Sequence, residues 1–496
     1  MGVQELMTGI SDIQTKKPET IRRLLERAAS LYAERDAYRF KDAEGLPCSV
    51  RFPELLEESR ALGSALIAAG TRGSHFAVCG PNSYAWALAY LTILGGAGVA
   101  VPVSPEETPE EVRYLVEKGG ITCAFVTEKT APLFPENVRL LRLDAELPRL
   151  LETGRGLLAA GDTAWADLPE DPGRLCEILF TSGTTGAKRG VMLTEKNIMS
   201  IAASDFPYLI GSVTLSVLPF SHGFEAVCHL LAALTPGAAI VIGSSGPRFA
   251  RDLADSGAES VYLVPLQAGA LLTLFAQELE RAKNLKTIVC GGAPVSPEIA
   301  AAFGIHGIRL MVGYGLSECA PLVTLNVEGR IGSVGLPGPY CEVRIDADGE
   351  IEVRGENVMQ GYYHDEAATV GAFTADGWLR TGDLGSLDGD GYLYISGRKK
   401  NIIVLSNGEN IIPEEKEAVL IRYLPTGTDL LVREKNGLLT AIGYRQGADP
   451  AELEKELKQA AELANRSFPS SGRIASVEVR NEPFSKTALG KIRREL

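Results

Sequence analysis

Residues 178–194 read ILFTSGTTGAKRGVMLT. An apolar run gives way to Thr181, Ser182, Gly183, Thr184, Thr185 and Gly186, and the stretch closes on Lys188, Arg189 and Gly190 before turning apolar again. Hydroxyls and glycines at this density, ending in two cations, suit a loop that wraps an anion. Gly183, Gly186 and Gly190 permit positive φ and close backbone approach, and exposed N–H groups with hydroxyls can line phosphate oxygens. The loop is not a Walker A motif, because no G-x-x-x-x-G-K-[ST] occurs in it. A plain surface linker is the bland alternative, but a linker needs neither apolar strands on both sides nor paired cations. The expected local order is strand (RLCEILF), phosphate loop, short strand, then a helix from about Thr194.

Outward from this loop, and up to about residue 310, short apolar runs alternate with helical patterns. HFAVCG, GVAVPV, CAFVT, LCEILFT, AAIVIG, SVYLVP and TIVCGG are strand candidates. TIRRLLERAASLYAER, Glu110 to Glu117 and Gln267 to Arg281 are helical, the first with Ile21, Leu24, Leu25, Ala28 and Leu31 on one face. Apolar strands separated by helices imply mostly parallel sheets covered on both faces. The pattern changes near residue 330. CEVRIDADGEIEVRG reads as a hairpin about Asp348-Gly349 and GSLDGDGYLYISG as another, together a small antiparallel barrel at about 330–397. Asp388-Gly389-Asp390-Gly391 lacks the full ligand ladder and closing Glu of a calcium loop, so it reads as a turn. After GRKKN, an exposed hinge, come strands DLLVRE, LLTAIGY and ASVEVR with a helix from Pro450 to about Arg466. The expected division is a core of residues 1–397 and a small mobile α+β domain of residues 398–496.

Composition narrows the function classes. A chain of 496 residues exceeds one compact core. Its net charge of -14 argues against nucleic acid as the main partner. The eight cysteines show no metal-ligand spacing, sit mostly in apolar runs and suit a reducing, cytoplasmic setting. Five histidines without H-E-x-x-H argue against a zinc site. MGVQELMTGISDIQTKKPET has no signal-peptide pattern. The uncharged stretch from Phe76 to Pro105 is broken by Gly80, Pro81, Gly95, Gly96 and Pro102, so a buried helix (about Tyr84 to Leu94) and a strand (Gly98 to Val103) are expected rather than a transmembrane span.

Three more stretches could complete a nucleotide site. MVGYGLSECAP places Tyr314, Ser317 and Glu318 after an apolar strand; a ring can stack on a base and a carboxylate can hold magnesium. GWLRTGDLG presents Asp383 in a glycine-flanked turn, where one carboxylate could accept both ribose hydroxyls. SKTALGKIRR carries Lys491. Singly, Tyr314 could be core, Asp383 a turn residue and Lys491 a solvated charge. With LPFSHGF, GGAPVS, GEIEVRGENVMQGYY and GRKKNIIVLSNGENIIPEE, in this order and spacing, the chain resembles the adenylate-forming superfamily of acyl-CoA synthetases, nonribosomal adenylation domains and luciferases. GRKKNIIVLSNGENI and FSKTALGKIRR look most like fatty acyl-CoA synthetases.

The resemblance implies an acyl adenylate made from ATP and a carboxylic acid with loss of pyrophosphate, then displacement of AMP by a thiol. By that resemblance Thr181, Ser182, Gly183, Thr184, Thr185, Gly186 and Arg189 would hold the β- and γ-phosphates. Gly292, Ala293, Tyr314 and Gly315 would flank adenine, Ser317 would meet the α-phosphate, and Asp383 and Arg398 would hold the ribose. Glu318, with Thr181, would bind Mg2+; Lys491 would contact the attacking carboxylate and the α-phosphate; His222 would lie beside the acyl carbonyl. Lys400 falls at the hinge and Gly408 beside the thiol tunnel.

Two departures stand out: Lys188-Arg189-Gly190 replaces the usual Pro-Lys-Gly, losing proline's rigidity while arginine keeps the charge and adds a fork, and the small domain is short. The implied acid is a medium- or long-chain fatty acid, received among residues 205 to 320. No Asp follows LPF to hold a substrate amine, although Glu225 is near. The implied acceptor is CoA, with an acyl carrier protein as the alternative; the basic runs Arg398-Lys399-Lys400 and Lys491 to Arg494 suit either, or are solvated faces. A non-catalytic nucleotide or lipid sensor would be expected to lack Glu318 or Lys491, and both are present.

Overall fold

Strands that bury both faces read as unbroken apolar runs, and here they pair in parallel. In a computed structural model of the chain, which describes residues 17–42, 44–182, 188–204, 210–244, 246–405, 410–425, 427–435, 438–469, 472–486 and 492–494, His75–Cys79 lies between Val99–Val103 and Ile121–Val126, parallel to both. Arg139–Arg142 extends this sheet on one side and Leu175–Ser182 on the other. The antiparallel strands Lys188–Thr194 and Gly361–Tyr362 then complete a seven-stranded sheet. A second, nine-stranded sheet has Val213–Ser216, Ser260–Leu263, Thr287–Cys290 and Arg309–Tyr314 as successive parallel neighbours. All seven apolar runs named above are strands; Asp36–Lys41, Pro47–Arg51, Arg139–Arg142 and Val213–Ser216 are additional ones.

The helices begin where their caps place them. Thr108 and Glu111 form a capping box for Pro109–Gly119, and Gly120 ends that helix in the left-handed region at φ 60. Thr194 Oγ1 accepts from Asn197 N at 3.1 Å while Asn197 Oδ1 accepts from Thr194 N at 2.8 Å, which starts Glu195–Ala202 directly after the phosphate hairpin. The uncharged stretch is a buried helix, Tyr84–Thr92, with a π-turn, Ile93–Ala97, and the strand Val99–Val103. Gly63 and Gly95 in this region face the Trp165 ring, where an added Cβ would lie 2.3 and 2.6 Å from ring atoms. Among the described residues no helix is long and apolar enough to cross a membrane. The expected single helix over Gln267 to Arg281 is two, Pro265–Thr273 and Ala276–Arg281, because the chain breaks at Leu274 and Phe275.

The chain divides into two compact units, one of Met1–Glu342 with Val353–Leu379 and the other of Val343–Glu352 with Arg380–Leu496. The barrel expectation takes the form of a four-stranded half-barrel sheet, Cys341–Ile345, Glu350–Gly355, Leu379–Leu387 and Leu393–Arg398. The turn that resembles a calcium loop is closed by its own aspartate, since Asp388 Oδ1 accepts from Asp390 N and Tyr392 N, both at 3.0 Å. The second unit also holds a three-stranded sheet of Asp429–Lys435, Leu438–Tyr444 and Ser476–Val479. Pro450–Ala464 covers it with Leu453, Leu457, Ala460 and Ala461. A further helix, Pro413–Leu420, joins this core through Leu420; its near-uniform mixture of charge and apolar residues hid it from the periodicity.

Candidate active site

The opening stretch is a hairpin. Leu175–Ser182 and Lys188–Thr194 are antiparallel, with Thr181 opposite Arg189 and Ser182 opposite Lys188. Gly183, Thr184, Thr185 and Gly186 lie outside the described residues, as does the side chain of Ser182. Gly190 is required by packing rather than by positive φ: a Cβ there would sit 2.8 Å from Ile178 Cγ2. The two cations part company. Lys188 pairs with Glu107 and, at 3.5 Å, with Glu111, and the Tyr114 hydroxyl donates to its carbonyl at 2.9 Å. That side chain is therefore an anchor for the hairpin, a substitute for the stiffness of the missing proline. Arg189 lies 3.6 Å from Asp365, with its guanidinium 5.5 Å from the centre of the Tyr362 ring.

A strap of residues 356–363 binds this hairpin to the acidic turn. Asn197 Nδ2 donates to the carbonyls of Glu356 and Val358 at 2.7 and 2.8 Å. Met359 N donates to the Glu318 carbonyl at 2.9 Å, Gln360 N to Met192 O at 3.0 Å and Tyr363 N to Gly190 O at 2.7 Å. Across this strap the Tyr362 hydroxyl donates to Glu318 Oε1 at 2.9 Å. Burial and the adjacent Glu318 carboxylate push the Tyr362 phenol up, so it stays a donor. Sequence patterns do not single out Tyr362; the strap stands in the run VMQGYY, but nothing in the run tells which tyrosine meets which acid.

Residues expected around the base and the acyl group share one edge. Strands Val213–Ser216, Thr287–Cys290 and Arg309–Tyr314 point the same way. His222, then Gly292 and Ala293, then Tyr314 and Gly315 follow at or beyond their C-terminal ends, the edge where open α/β sheets bind ligands. Gly292 has φ +84, and a Cβ on Gly315 would fall 1.7 Å from the Pro321 carbonyl oxygen, so neither accepts a side chain without strain or displacement. Ser317 and Glu318 start the short 3-10 turn Ser317–Cys319 that follows. His222 caps the next helical turn, its Nδ1 accepting from Phe224 N at 3.3 Å, and burial lowers its pKa to about 4. It is a neutral imidazole. Phe224 closes on Gly291, whose added Cβ would lie 3.1 Å from its ring, and on Tyr262, at 5.3 Å between ring centres.

A buried polar cluster lies behind Phe224. Glu225 Oε1 takes hydrogen bonds from His229 Nδ1, at 2.8 Å, and from Ser216 Oγ; His229 Nε2 meets Thr214 Oγ1 at 2.6 Å and the ring stacks on Tyr262 at 4.2 Å. Glu225 is thus engaged in the fold.

In the other unit, Asp383 and Arg398 are direct cross-strand partners joined at 2.8 Å. Lys399 pairs with Glu350 at 2.9 Å, and Lys400 lies in the 3-10 turn Lys399–Asn401 that follows the last half-barrel strand. In the basic run at the chain end, Arg493 is exposed while Arg494 pairs with Glu417 at 2.5 Å and Glu414 at 3.4 Å. Gly408 and Lys491 lie outside the described residues.

Among the described residues no group of three His, Cys, Asp or Glu side chains could hold a metal ion by itself. One carboxylate beside a phosphate loop is nevertheless the donor set that suits magnesium, which keeps waters and arrives with substrate phosphates. Glu318, with one oxygen held by Tyr362, fits that use.

The sequence matches the family described as AMP-binding enzyme over residues 25–363. A feruloyl-CoA synthase of an Amycolatopsis species is 31% identical over 405 residues, 76% of this chain and 78% of its own. The long-chain-fatty-acid–CoA ligase FadD15 of Mycobacterium bovis is 29% identical over 443 residues, covering 75% and 73%. Among solved structures, ATP-bound MatB from Rhodopseudomonas palustris superposes with a TM-score of 0.79 at 22% identity, covering 95% of this chain and 97% of that one, a likeness of fold.

Proposed function

The chain belongs to the AMP-binding enzyme family and is an acid–thiol ligase; on that premise we propose that it activates a medium- or long-chain fatty acid with ATP and passes the acyl group to CoA. The observation that carries the adenylation reading is the convergence of the phosphate hairpin and Glu318 on the strap residue Tyr362. In the first step a carboxylate oxygen bonds to the α-phosphorus and the bond to the β-bridging oxygen breaks, releasing pyrophosphate. Like charges repel on that approach, and in many enzymes stabilisation of charge in the transition state contributes more to the rate than any other effect. Magnesium, bound with the nucleotide, would supply Lewis-acid neutralisation. Thr181 to Gly186 and Arg189 hold the leaving phosphates, Glu318 and Thr181 would hold the metal, and Ser317 meets the α-phosphate. Gly292, Ala293, Tyr314 and Gly315 flank the base, and Asp383 and Arg398 hold the ribose. Lys491 bridges the carboxylate and the α-phosphate. His222, being neutral, can stand beside the acyl carbonyl without competing for the substrate's negative charge.

In the second step the thiol sulfur bonds to the acyl carbon, AMP leaves and the thiol proton passes to solvent. Lys491 must withdraw and a thiol must enter past Gly408. A turn of the small domain about Lys400 meets both needs. The fatty-acid reading is supported by the resemblance of the small domain's motifs and by FadD15 among the relatives. The feruloyl-CoA synthase and the aromatic pair Phe224–Tyr262 favour an aryl acid as the second reading. CoA is preferred over a carrier protein because the relatives named above are a CoA synthase and a CoA ligase.

The test is a product assay with ATP, a mixture of fatty and aryl acids, and either CoA or a pantetheinylated carrier. Fatty acyl-CoA is the expected product. Aryl-CoA alone would replace the acid, and acyl-carrier alone would replace the acceptor.

A further inference from the structure

We propose that Tyr362 is a positioning residue for the metal-facing carboxylate, and that Arg189, one of the two residues by which this hairpin departs from its family, holds Tyr362 in place. The inference rests on the adenylation reading above and adds to it a residue outside the expected site. Among the described residues Glu318 takes one side-chain hydrogen bond, from the Tyr362 hydroxyl at 2.9 Å to Oε1. That bond fixes the carboxylate's rotation and leaves Oε2 for a cation. The Tyr362 ring is fixed in turn by the phosphate hairpin. Its backbone pairs with Val191 as an added edge strand on the phosphate hairpin, and the Arg189 guanidinium lies over its face at 5.5 Å, a cation–π contact that a linear ammonium would make less well. Asp365, at 3.6 Å from Arg189, holds the guanidinium over the ring. The hairpin that grips phosphates and the turn that presents Glu318 are thus joined through one aromatic side chain.

Groups that orient a metal ligand typically change metal affinity about 10-fold or more when removed, so Tyr362→Phe, which keeps the ring and loses the hydroxyl, isolates the effect. The measurement is Mn2+ binding by electron paramagnetic resonance in the presence of a non-hydrolysable ATP analogue, beside the Mg2+ dependence of pyrophosphate release. Tyr363→Phe, whose ring packs on His75 and His364, is the control. The expected result for Tyr362→Phe is a Mn2+ affinity about 10-fold lower, a matching rise in the Mg2+ needed for half-maximal rate, and kcat recovered at saturating Mg2+. Unchanged Mn2+ affinity, or a kcat loss that Mg2+ does not restore, would overturn the proposal. Failure of the wild-type protein to bind the Mn2+–nucleotide would overturn the magnesium reading beneath it.

Discussion

The two units use their cations differently. In the larger unit Arg189 lies 3.6 Å from a half-exposed Asp365 and above a tyrosine ring, a more open setting than a close ion pair. In the smaller unit Arg398, Lys399 and Arg494 are in close pairs at 2.8, 2.9 and 2.5 Å with Asp383, Glu350 and Glu417. Their buried carboxylates also differ. Asp383 has an arginine; among the described residues Glu177, on the strand that leads to the phosphate hairpin, has the Tyr90 hydroxyl at 2.7 Å and no cation. The contrast is sharpest between Arg189, placed beside a phosphate hairpin, and Arg494, which is paired within its own unit.

The most severe challenge to this contrast is Lys491, a cation of the small domain that, like Arg398, is proposed to meet the substrate. Lys491→Ala should lower adenylation by about 10²–10³-fold, the scale of one lost charge-stabilising donor, while thiol transfer from supplied acyl-AMP is spared. Equal loss of both half-reactions would return Lys491 to the structural class of its neighbours.

Glu177 tests the larger unit's buried acid. Burial raises its pKa to about 8 from an ordinary 4.5, so the folded protein holds a proton that the unfolded chain gives up between those values. Stability contributed by the protonated carboxyl is complete below about pH 4.5 and declines as pH rises toward about 8. Glu177→Gln removes that slope, and thermal melts should show the variant gaining on wild type across this window, on the order of 4–5 kcal/mol at the top of it. A constant difference at every pH would refute the assignment.

Arg398→Met removes the arginine paired with the buried Asp383 and should destabilise the smaller unit by about 1–2 kcal/mol, less than a fully buried pair would lose because Arg398 is itself partly exposed. Denaturant unfolding read from that unit checks it, and the ribose role predicts a raised KM for ATP as well. The smallest expected effect is at Lys188. Lys188→Met should cost below about 1 kcal/mol of stability and change ATP affinity less than Arg189→Met does; the reverse order would mean that the hairpin grips phosphate with its first cation.

Much of this was legible in the sequence because the larger unit's strands are continuous apolar runs and its caps are local. HFAVCG and GVAVPV, or Thr194 three residues before Asn197, announce themselves without tertiary knowledge. The hidden parts depend on distant pairing. Lys188 and Arg189 are adjacent in sequence yet take opposite roles, because strand alternation sends one toward Glu107 and the other toward Tyr362. Arg494 reads as surface until Glu414 and Glu417 are brought beside it. Gln267 to Arg281 reads as one helix because its break at Leu274-Phe275 carries neither Gly nor Pro.

The central claim is that the Glu318 corner drives formation of a fatty acyl adenylate. Isotope exchange between pyrophosphate and ATP, without thiol, tests it most directly. The account predicts exchange that depends on a medium- or long-chain fatty acid and on Mg2+, and that Glu318→Gln abolishes. Exchange supported only by amino acids, or undiminished in Glu318→Gln, would contradict it.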